Sequence, residues 1–248
     1  MGLMKKNKVI GIIPARYAST RLPAKPLALI AGKTLIERVW RQVIKSRQLS
    51  DVYIATDDKR IADKALSFGA KVVMTSSKCK TGTDRISQAA NKIGGAKLFV
   101  NIQGDEPLID PKTIDTVAAA LANDKESGIV TAAYPVLEQE IISPNTVKVV
   151  VDKKGFALYF SRSVIPFNRT GVKIDYLKHQ GIYGYKKSFL DAFTTLPQSS
   201  YEKAESLEQL RALENGYKIK IVLVKSDSIG VDTPEDILKV EGLLNGKQ

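Results

Sequence analysis

The sequence has little of the sulfur and imidazole chemistry on which several classes of protein depend. Among its 248 residues, Cys79 is the only cysteine and His179 the only histidine. One cysteine permits no intrachain disulfide, and one residue of each kind is too few for a typical zinc site. We therefore expect a protein of a reducing compartment, the cytoplasm.

Long hydrophobic runs are also absent from the sequence. The longest, such as Val147–Val151, have the length of a strand. A membrane helix needs roughly 20 apolar residues. The opening residues Met1–Lys8 hold no hydrophobic segment of the kind found in a secretory signal. The sequence therefore predicts no insertion into a membrane.

The charge of the chain is strongly positive, with 38 Lys and Arg against 26 Asp and Glu and a formal net charge of +12. The lysines are scattered in ones and twos, without a long basic run or an interleaved aromatic platform for nucleic acid. One local site for a small, multiply charged anion fits this pattern better than a duplex. We predict no nucleic-acid partner, and a non-catalytic nucleic-acid-binding module is the alternative from another class.

The first half of the chain alternates predicted strands and helices. Continuous apolar runs predict strands at 9–13, 52–55, 71–74, 98–102 and 129–134. Start and stop signals predict helices from a Thr34 capping box to about Ser46, from Asp57 or Asp58 to Phe68, at about 84–92, and at about 111–123. This rhythm is typical of an α/β fold with a mostly parallel sheet and helices on both faces.

The second half has a different pattern. Two strand-like runs, 147–151 and 156–160, flank a turn and predict a β-hairpin. Beyond it we predict a strand at 181–185, a helix at about 187–193, a helix at 206–214, a strand at 219–224 and a helix starting at Thr233. No linker-like stretch interrupts the chain, so we predict a single domain over residues 1–248, with the hairpin as an arm or lid.

The loop after the first predicted strand concentrates positive charge. Arg16, Arg21 and Lys25 fall within ten residues, with prolines on both sides. In an open parallel sheet, ligands bind beyond the carboxyl ends of the strands, where this loop lies. Fixed cations are what a triphosphate and a departing pyrophosphate need. The ordinary alternative is a solvated basic loop.

Two aspartates follow other predicted strands. Asp105 comes after the strand at 98–102, next to Gly104, and Asp232 comes after the strand at 219–224. Carboxylates beside a phosphate-binding loop are best explained as ligands of Mg²⁺, which prefers oxygen. Each aspartate alone could simply cap a turn. Together they predict a magnesium site.

These segments resemble the 3-deoxy-manno-octulosonate cytidylyltransferases, or CMP-Kdo synthetases. The resemblance runs from about Val9 to Val240, in order and at similar spacing. It is carried by Pro14-Ala15-Arg16 with Ser19, Arg21, Leu22-Pro23 and Lys25-Pro26, by Asn101–Pro107, Ala157–Arg162, His179–Tyr185 and Leu207–Arg211, and by Val231–Asp236. One departure is Ala24, where the family usually has glycine.

The resemblance implies a single-domain, Rossmann-like nucleotidyltransferase fold and a role for each matching residue. The N-terminal half would bind CTP, and residues of about 145–215 would bind the acid sugar Kdo and form a homodimer. The implied catalytic residues are Arg16, Arg21, Lys25, Asp105 and Asp232, of which Asp105 and Asp232 would hold Mg²⁺. The implied CTP-binding residues are Pro14, Ala15, Arg16, Lys25, Thr81, Gly82, Arg85 and Gln103. The implied sugar-binding residues are Gln103, Arg162, His179, Tyr183, Glu208 and Gln209.

Ordinary structural roles are also open for several of these residues. Tyr183 could belong to the core, Glu208 and Gln209 could form an exposed helix face, and His179 could be structural. The resemblance further implies lipopolysaccharide biosynthesis in a Gram-negative cytoplasm. A related acid sugar, 8-amino-Kdo or sialic acid, is the nearest alternative substrate.

Overall fold

The computed structural model describes residues 8–18, 22–225 and 228–246. Its strands are β1 (Val9–Ala15), β2 (Leu29–Ile30), β3 (Lys33–Thr34), β4 (Asp51–Thr56), β5 (Lys71–Met74), β6 (Leu98–Asn101), β7 (Ile129–Pro135), β8 (Lys148–Val151), β9 (Ala157–Ser161), β10 (Leu177–Lys186) and β11 (Ile219–Leu223). Its helices are α1 (Leu35–Val43), α2 (Lys59–Ser67), α3 (Gly82–Ile93), α4 (Pro111–Asn123), α5 (Lys187–Phe193), α6 (Ser200–Glu205), α7 (Gln209–Glu214) and α8 (Pro234–Asn245). In these described ranges, no helix is long and apolar enough to cross a bilayer.

The central sheet has the order β11-β7-β10-β6-β1-β4-β5. β1 pairs in parallel with β4 and β6, β4 with β5, and β7 with β11. β10 runs antiparallel between β6 and β7. The prediction of a mostly parallel α/β sheet is therefore confirmed, with one antiparallel strand inside it.

Helices cover both faces of the sheet, as its sequence pattern predicts. In β1, Val9 and Ile13 face the core that α1, α2, α4 and α8 complete. Ile10 and Ile12 face the opposite core, which α3, α5 and α7 complete. Because apolar side chains are buried on both faces, the strand is a continuous apolar run rather than an alternating one.

The strand order creates a crevice at one edge. From β1 the chain continues to β4 and β5 on one side, and then returns to β6 on the other side of β1. The loops that leave the carboxyl ends of β1 and β6 therefore diverge, which is the arrangement at which open α/β sheets bind ligands.

The predicted hairpin is present, and it belongs to the main sheet. β8 and β9 pair antiparallel around a turn in which the Asp152 carboxylate accepts hydrogen bonds from the N–H groups of Lys154 and Phe156, both at 2.8 Å. β8 also pairs with β10 at Leu177 and Lys178. The hairpin thus extends β10 outward, and a lid function for it stays a prediction.

Two of the predicted helices differ from the structure in detail. α1 starts after Thr34 as predicted, but the capping box is absent, since Thr34 makes no side-chain cap hydrogen bond and the Glu37 carboxylate accepts from Arg41 Nε at 2.8 Å. The helix ends at Val43 rather than near Ser46. The helix predicted at 206–214 begins later, as α7 at Gln209, and the preceding helix α6 was not predicted. Ser206 lies between them with a φ of 52°, a left-handed conformation that ends the first helix.

β10 is longer than the predicted strand at 181–185. Its first residues include Lys178, His179 and Gln180, whose polar side chains hide the strand from an apolar-run criterion. The pairing of β10 with β7 shifts register between Gln180 and Tyr183. The irregularity falls among the residues with predicted sugar-binding roles.

A buried ion pair joins α6 to α7. Arg211 donates from Nη2 and Nε to the two carboxylate oxygens of Glu202, at 2.6 and 2.8 Å. Both side chains are only 6% exposed. Although burial alone would raise the pKa of Glu202, hydrogen bonds from Arg211 and the Ser199 N–H lower it below its usual value.

We expect Glu202→Gln to destabilise the protein by about 3–5 kcal/mol, because it removes the main partner of the buried Arg211 charge and leaves only the longer contact with Glu208, at 3.4 Å. Glu126→Gln is the matched control, since Glu126 pairs with Lys218 on the surface and both are more than half exposed. Urea unfolding of the three proteins measures the difference. Equal urea midpoints for Glu202→Gln and Glu126→Gln would contradict a stabilising role of the buried ion pair.

Candidate active site

A cavity of ≈ 380 Å³ opens at the crevice between β1 and β6. Every residue with a predicted CTP-binding role lines it, together with both predicted metal ligands. Arg21 lies outside the described residues. The lining consists of Pro14, Ala15, Arg16, Ala18, Lys25, Pro26, Cys79, Lys80, Thr81, Gly82, Arg85, Gln103, Gly104, Asp105 and Asp232.

Five of these lining residues have no predicted role: Ala18, Pro26, Cys79, Lys80 and Gly104. Each lies within two positions of a residue with one. Their nearness in sequence to predicted site residues is the only signal that could have identified them. It does not tell which of the neighbouring residues face the cavity.

Gly104 brings the loop after β6 against the end of β1. A Cβ atom there would lie 2.6 Å from the carbonyl oxygen of Pro14, closer than real Cβ contacts. Only glycine permits this approach without moving the backbone. The contact places Asp105 next to the basic loop that follows β1.

Asp232 is brought to the same place by main-chain contacts. The Val231 N–H donates to the carbonyl of Asp105 at 2.8 Å, which ties the two loops together. Thr233 accepts a hydrogen bond from the Asp236 N–H, and the Asp236 carboxylate accepts from the N–H of Asp232 at 3.1 Å. Thr233 therefore caps α8, as predicted, and Asp232 lines the cavity.

Lys25 bridges the two aspartates. Its Nζ donates to Asp105 Oδ2 at 2.7 Å and to Asp232 Oδ1 at 2.9 Å. Burial alone would lower the pKa of Lys25, but attraction to the two carboxylates outweighs it and raises the pKa. Lys25 begins a 3₁₀ turn after Ala24, whose φ of 53° is left-handed. Glycine adopts this conformation freely, so the methyl group of Ala24 adds backbone strain where the family usually has glycine.

The carboxylate pair fits a magnesium ion. Oxygens of Asp105 and Asp232 already converge within 2.9 Å of one cationic atom, Lys25 Nζ. No group of three or more acidic, histidine or cysteine side chains suited to a metal occurs in residues 8–18, 22–225 and 228–246. Mg²⁺ commonly uses only one or two carboxylates and takes its other oxygens from substrate phosphates and water. The donor set therefore suits a metal that arrives with a phosphorylated substrate.

The opposite wall of the cavity is the start of α3. Thr81 and Asp84 form a reciprocal capping box, which leaves Gly82 and the first turn facing the cavity. Arg85 follows and is almost fully buried at 4% exposure. Its guanidinium donates to Thr75 Oγ1 and, at 3.2 Å, to Asp57 Oδ2, so its position is fixed before any ligand binds.

Most of the predicted sugar-binding residues form a cluster beside the cavity rather than in its lining. The His179 ring lies between Phe160 and Tyr183, with ring centroids 5.1 and 5.4 Å away. Its Nε2 is 3.0 Å from Thr131 Oγ1, and that hydroxyl is also 2.7 Å from the Ile182 carbonyl. The Thr131 hydroxyl therefore joins the imidazole to the main chain of β10.

Glu208 connects this cluster to α3. It accepts a hydrogen bond from Thr83 Oγ1 at 2.5 Å, and burial raises its pKa although Thr83 and Arg211 act to lower it. Gln209 is 5% exposed, and its Nε2 has no partner among the described residues. The alternative that Gln209 belongs to an exposed helix face is therefore wrong.

Tyr183 and Gln103 complete the connection between the cluster and the cavity. Tyr183 stacks on Tyr185 with ring centroids 5.8 Å apart, and burial raises its pKa well above the usual value. Gln103 lines the cavity and donates from Nε2 to the carbonyl of Gly181 in β10 at 2.8 Å. The strand that carries the cluster is thus fixed to the cavity wall.

Arg162 is held mainly by main-chain oxygens. Its Nε donates to the carbonyl of Glu205 at 2.8 Å and its Nη1 to the carbonyl of Pro144 at 3.0 Å. Its own N–H donates to the Glu205 carboxylate. Binding of a sugar carboxylate by Arg162 stays a prediction, and the remaining N–H groups of its guanidinium are the ones that could serve it.

A family model described as Cytidylyltransferase matches residues 10–221 of the chain. The 3-deoxy-manno-octulosonate cytidylyltransferase of Desulfosudis oleivorans is 49% identical over 241 residues, covering 96% of this chain and 97% of that protein. The enzyme of the same name from Bacteroides thetaiotaomicron is 50% identical, covering 97% and 99%. The similarity therefore spans both chains almost completely.

Solved structures agree with these sequence matches. The structure of CMP:2-keto-3-deoxy-manno-octonic acid synthetase complexed with CTP superposes with a TM-score of 0.93 at 40% identity, covering 98% of this chain and 100% of that one. A 4-diphosphocytidyl-2C-methyl-D-erythritol synthase from Anaerococcus prevotii has a TM-score of 0.64 at 14% identity. The second likeness shows the fold alone.

The state of His179 predicts a pH effect on stability. Burial lowers the pKa of His179 to about 3, whereas the pKa of a histidine in the unfolded chain is near 6.5. Between these values the unfolded state binds more protons, so this group removes stability as the pH falls below 6.5. Between pH 7 and pH 5, we expect the free energy of unfolding of His179→Asn to fall by about 2 kcal/mol less than that of the parent protein.

Urea unfolding at both pH values measures that difference. Because the chain has no other histidine, carboxylate titrations shared by the two proteins cancel in the comparison. The same loss in both proteins would contradict a neutral, buried imidazole.

Proposed function

Because the chain belongs to the 3-deoxy-manno-octulosonate cytidylyltransferase family, we propose that it transfers CMP from CTP to Kdo and releases pyrophosphate. The observation that carries the proposal is the cavity at β1 and β6. It combines the cations Arg16, Lys25 and Arg85 with the carboxylates of Asp105 and Asp232. This combination suits a nucleoside triphosphate and its metal better than it suits a neutral ligand.

In the proposed reaction, the anomeric hydroxyl of Kdo loses its proton to solvent, and its oxygen forms a bond to the α-phosphorus of CTP. The bond between that phosphorus and the bridging oxygen of the β-phosphate breaks, and pyrophosphate leaves in line. Arg16 and Lys25 would bind the phosphates and stabilise the charge on the leaving group, with Arg21 assisting. The first turn of α3 would contact the cytosine through its backbone.

Magnesium is the proposed cofactor, with Asp105 and Asp232 as its protein ligands. When bound, it would lower the pKa of the attacking hydroxyl and offset the charge that develops on the phosphate. Lys25 bridges the same carboxylates, so its ammonium would then be available for the phosphates. No histidine base is required, which suits a chain whose single histidine has a pKa of about 3.

The acid sugar is proposed to bind at the cluster of His179, Tyr183, Glu208 and Gln209, with Gln103 between it and the nucleotide. Gln209 supports this assignment, because its buried amide has no partner in the described part of the chain and such a donor is costly unless a ligand accepts from it. Arg162 would contribute the positive charge that a sugar carboxylate needs.

We also propose a homodimer that forms through residues 145–215, a cytoplasmic location and a role in lipopolysaccharide biosynthesis. Large apolar side chains exposed in that region support a partner surface, since Leu158 is 62% exposed and Phe167 is 83% exposed. The location and the pathway rest on the family alone.

Pyrophosphate release from CTP and Mg²⁺ with different acid sugars tests the substrate. We expect the highest kcat/KM with Kdo and lower values with 8-amino-Kdo and sialic acid. Turnover of either analogue without turnover of Kdo would overturn the assignment. Absence of turnover with all three, together with steeply salt-dependent binding to DNA or RNA, would favour the nucleic-acid-binding alternative.

Asp105→Ala should abolish pyrophosphate release while the fold persists. The substitution removes one proposed metal ligand but keeps the main-chain carbonyl that binds the Val231 N–H. Asp191→Ala is the matched control, because Asp191 also pairs with a lysine, Lys187, but lies outside the cavity lining. Circular dichroism verifies folding of both variants. Near-normal turnover by a folded Asp105→Ala protein would exclude the metal role.

A further inference from the structure

Lys148 in β8 is a fully buried lysine, with 0% of its surface exposed. Lysine is almost never fully buried unless its charge is paired. Here Nζ donates to three main-chain carbonyls, those of Ser143 at 3.0 Å, Thr146 at 2.7 Å and Arg162. In the described part of the chain it forms no ion pair with a carboxylate, and burial lowers its pKa.

The three carbonyls belong to two separate segments. Ser143 and Thr146 lie in the loop before β8, and Arg162 directly follows β9. An apolar side chain would avoid the cost of burying an ammonium group, but it could not join these carbonyls. Lys148 therefore holds the loop before β8 and the end of β9 at a fixed separation.

The strand register places this joint beside the sugar cluster. Lys148 lies opposite Ser161 of β9 and opposite Lys178 of β10. The next residues outward, Arg162 and His179, therefore flank Val147, and the His179 N–H donates to the Val147 carbonyl at 2.9 Å. Since neighbouring strands are about 4.8 Å apart, their backbones lie about 10 Å from each other across one strand.

The side chain of Arg162 depends on the same loop. Its Nη1 donates to the carbonyl of Pro144, which lies between the two loop residues that Lys148 binds. Loss of Lys148 would thus release both the main chain of Arg162 and one of the acceptors that orient its guanidinium. The contacts of Arg162 with Glu205 would remain.

We infer that Lys148 is a positioning residue for Arg162: by joining the 143–146 loop to the end of β9, it aims the guanidinium at the carboxylate of the acid sugar. The inference rests on the proposed function, because Arg162 has a carboxylate to bind only if the substrate is such a sugar. Lys148 itself does not contact the substrate.

Lys148→Met tests the inference, because methionine fills a similar volume without a donor. We expect the KM for Kdo to rise at least about tenfold, since a misplacement of about 1 Å can cost up to about 10²-fold. The KM for CTP should stay within about twofold, because Lys148 is absent from the lining of the nucleotide cavity. Lys186→Met is the matched control, since its Nζ also donates to a main-chain carbonyl, that of Asp124 at 2.7 Å.

A double-mutant cycle separates positioning from a general structural role. In an Arg162→Ala background, Lys148→Met should cause no further rise in the KM for Kdo, because the residue through which it acts is gone. Multiplicative effects of the two substitutions would overturn the inference.

Folding is checked by circular dichroism and thermal melting. Lys148→Gln is a second variant that keeps an uncharged N–H donor group, the side-chain amide, and should show a smaller rise in KM. An unchanged KM for Kdo in folded variants overturns the inference while the proposed function stands. Failure of both variants to fold also overturns it, since the lysine would then serve the whole fold. No turnover of Kdo by the parent protein would instead reject the proposed function.

Discussion

The candidate site depends on one electrostatic arrangement, the convergence of two carboxylates on one cation. Asp105 and Asp232 both bind Lys25, from which they are separated by 80 and 207 positions in the sequence. Two carboxylates that both contact one atom would repel each other if no positive charge lay between them, so a cation is required there. The ammonium group meets that requirement in the structure. A divalent cation would meet it in the proposed reaction and leave the lysine for the phosphates.

The fold explains why these groups meet. Parallel pairing of β1 and β6 puts their carboxyl ends side by side, and Gly104 lets the two loops touch. Insertion of the antiparallel β10 next to β6 then carries His179 and Tyr183 to the edge of the same cavity. Gln103 fixes that strand through the Gly181 carbonyl. The proposed nucleotide and acceptor sites are thus joined through two adjacent strands of one sheet.

Much of this could be predicted from sequence, for a physical reason. Strands such as β1 and β6 are buried on both faces, so they are continuous apolar runs, and the aspartates that follow strands are found by the strand-end rule. The start of β10 could not be found in this way, because Lys178, His179 and Gln180 are polar. The burial of Lys148 was equally hidden, since a charged residue in a strand ordinarily faces solvent and its three acceptors are main-chain atoms. The late start of α7 was missed because the left-handed backbone of Ser206, which ends α6, is not marked by its residue type.

The most direct measurement of the central claim is a crystal structure of the chain with CTP and Mg²⁺. The account predicts an ion bound to one oxygen each of Asp105 and Asp232, with Lys25 Nζ moved from the carboxylates onto a phosphate oxygen. An ion bound elsewhere, with Lys25 still bridging both aspartates beside a fully ordered nucleotide, would contradict it.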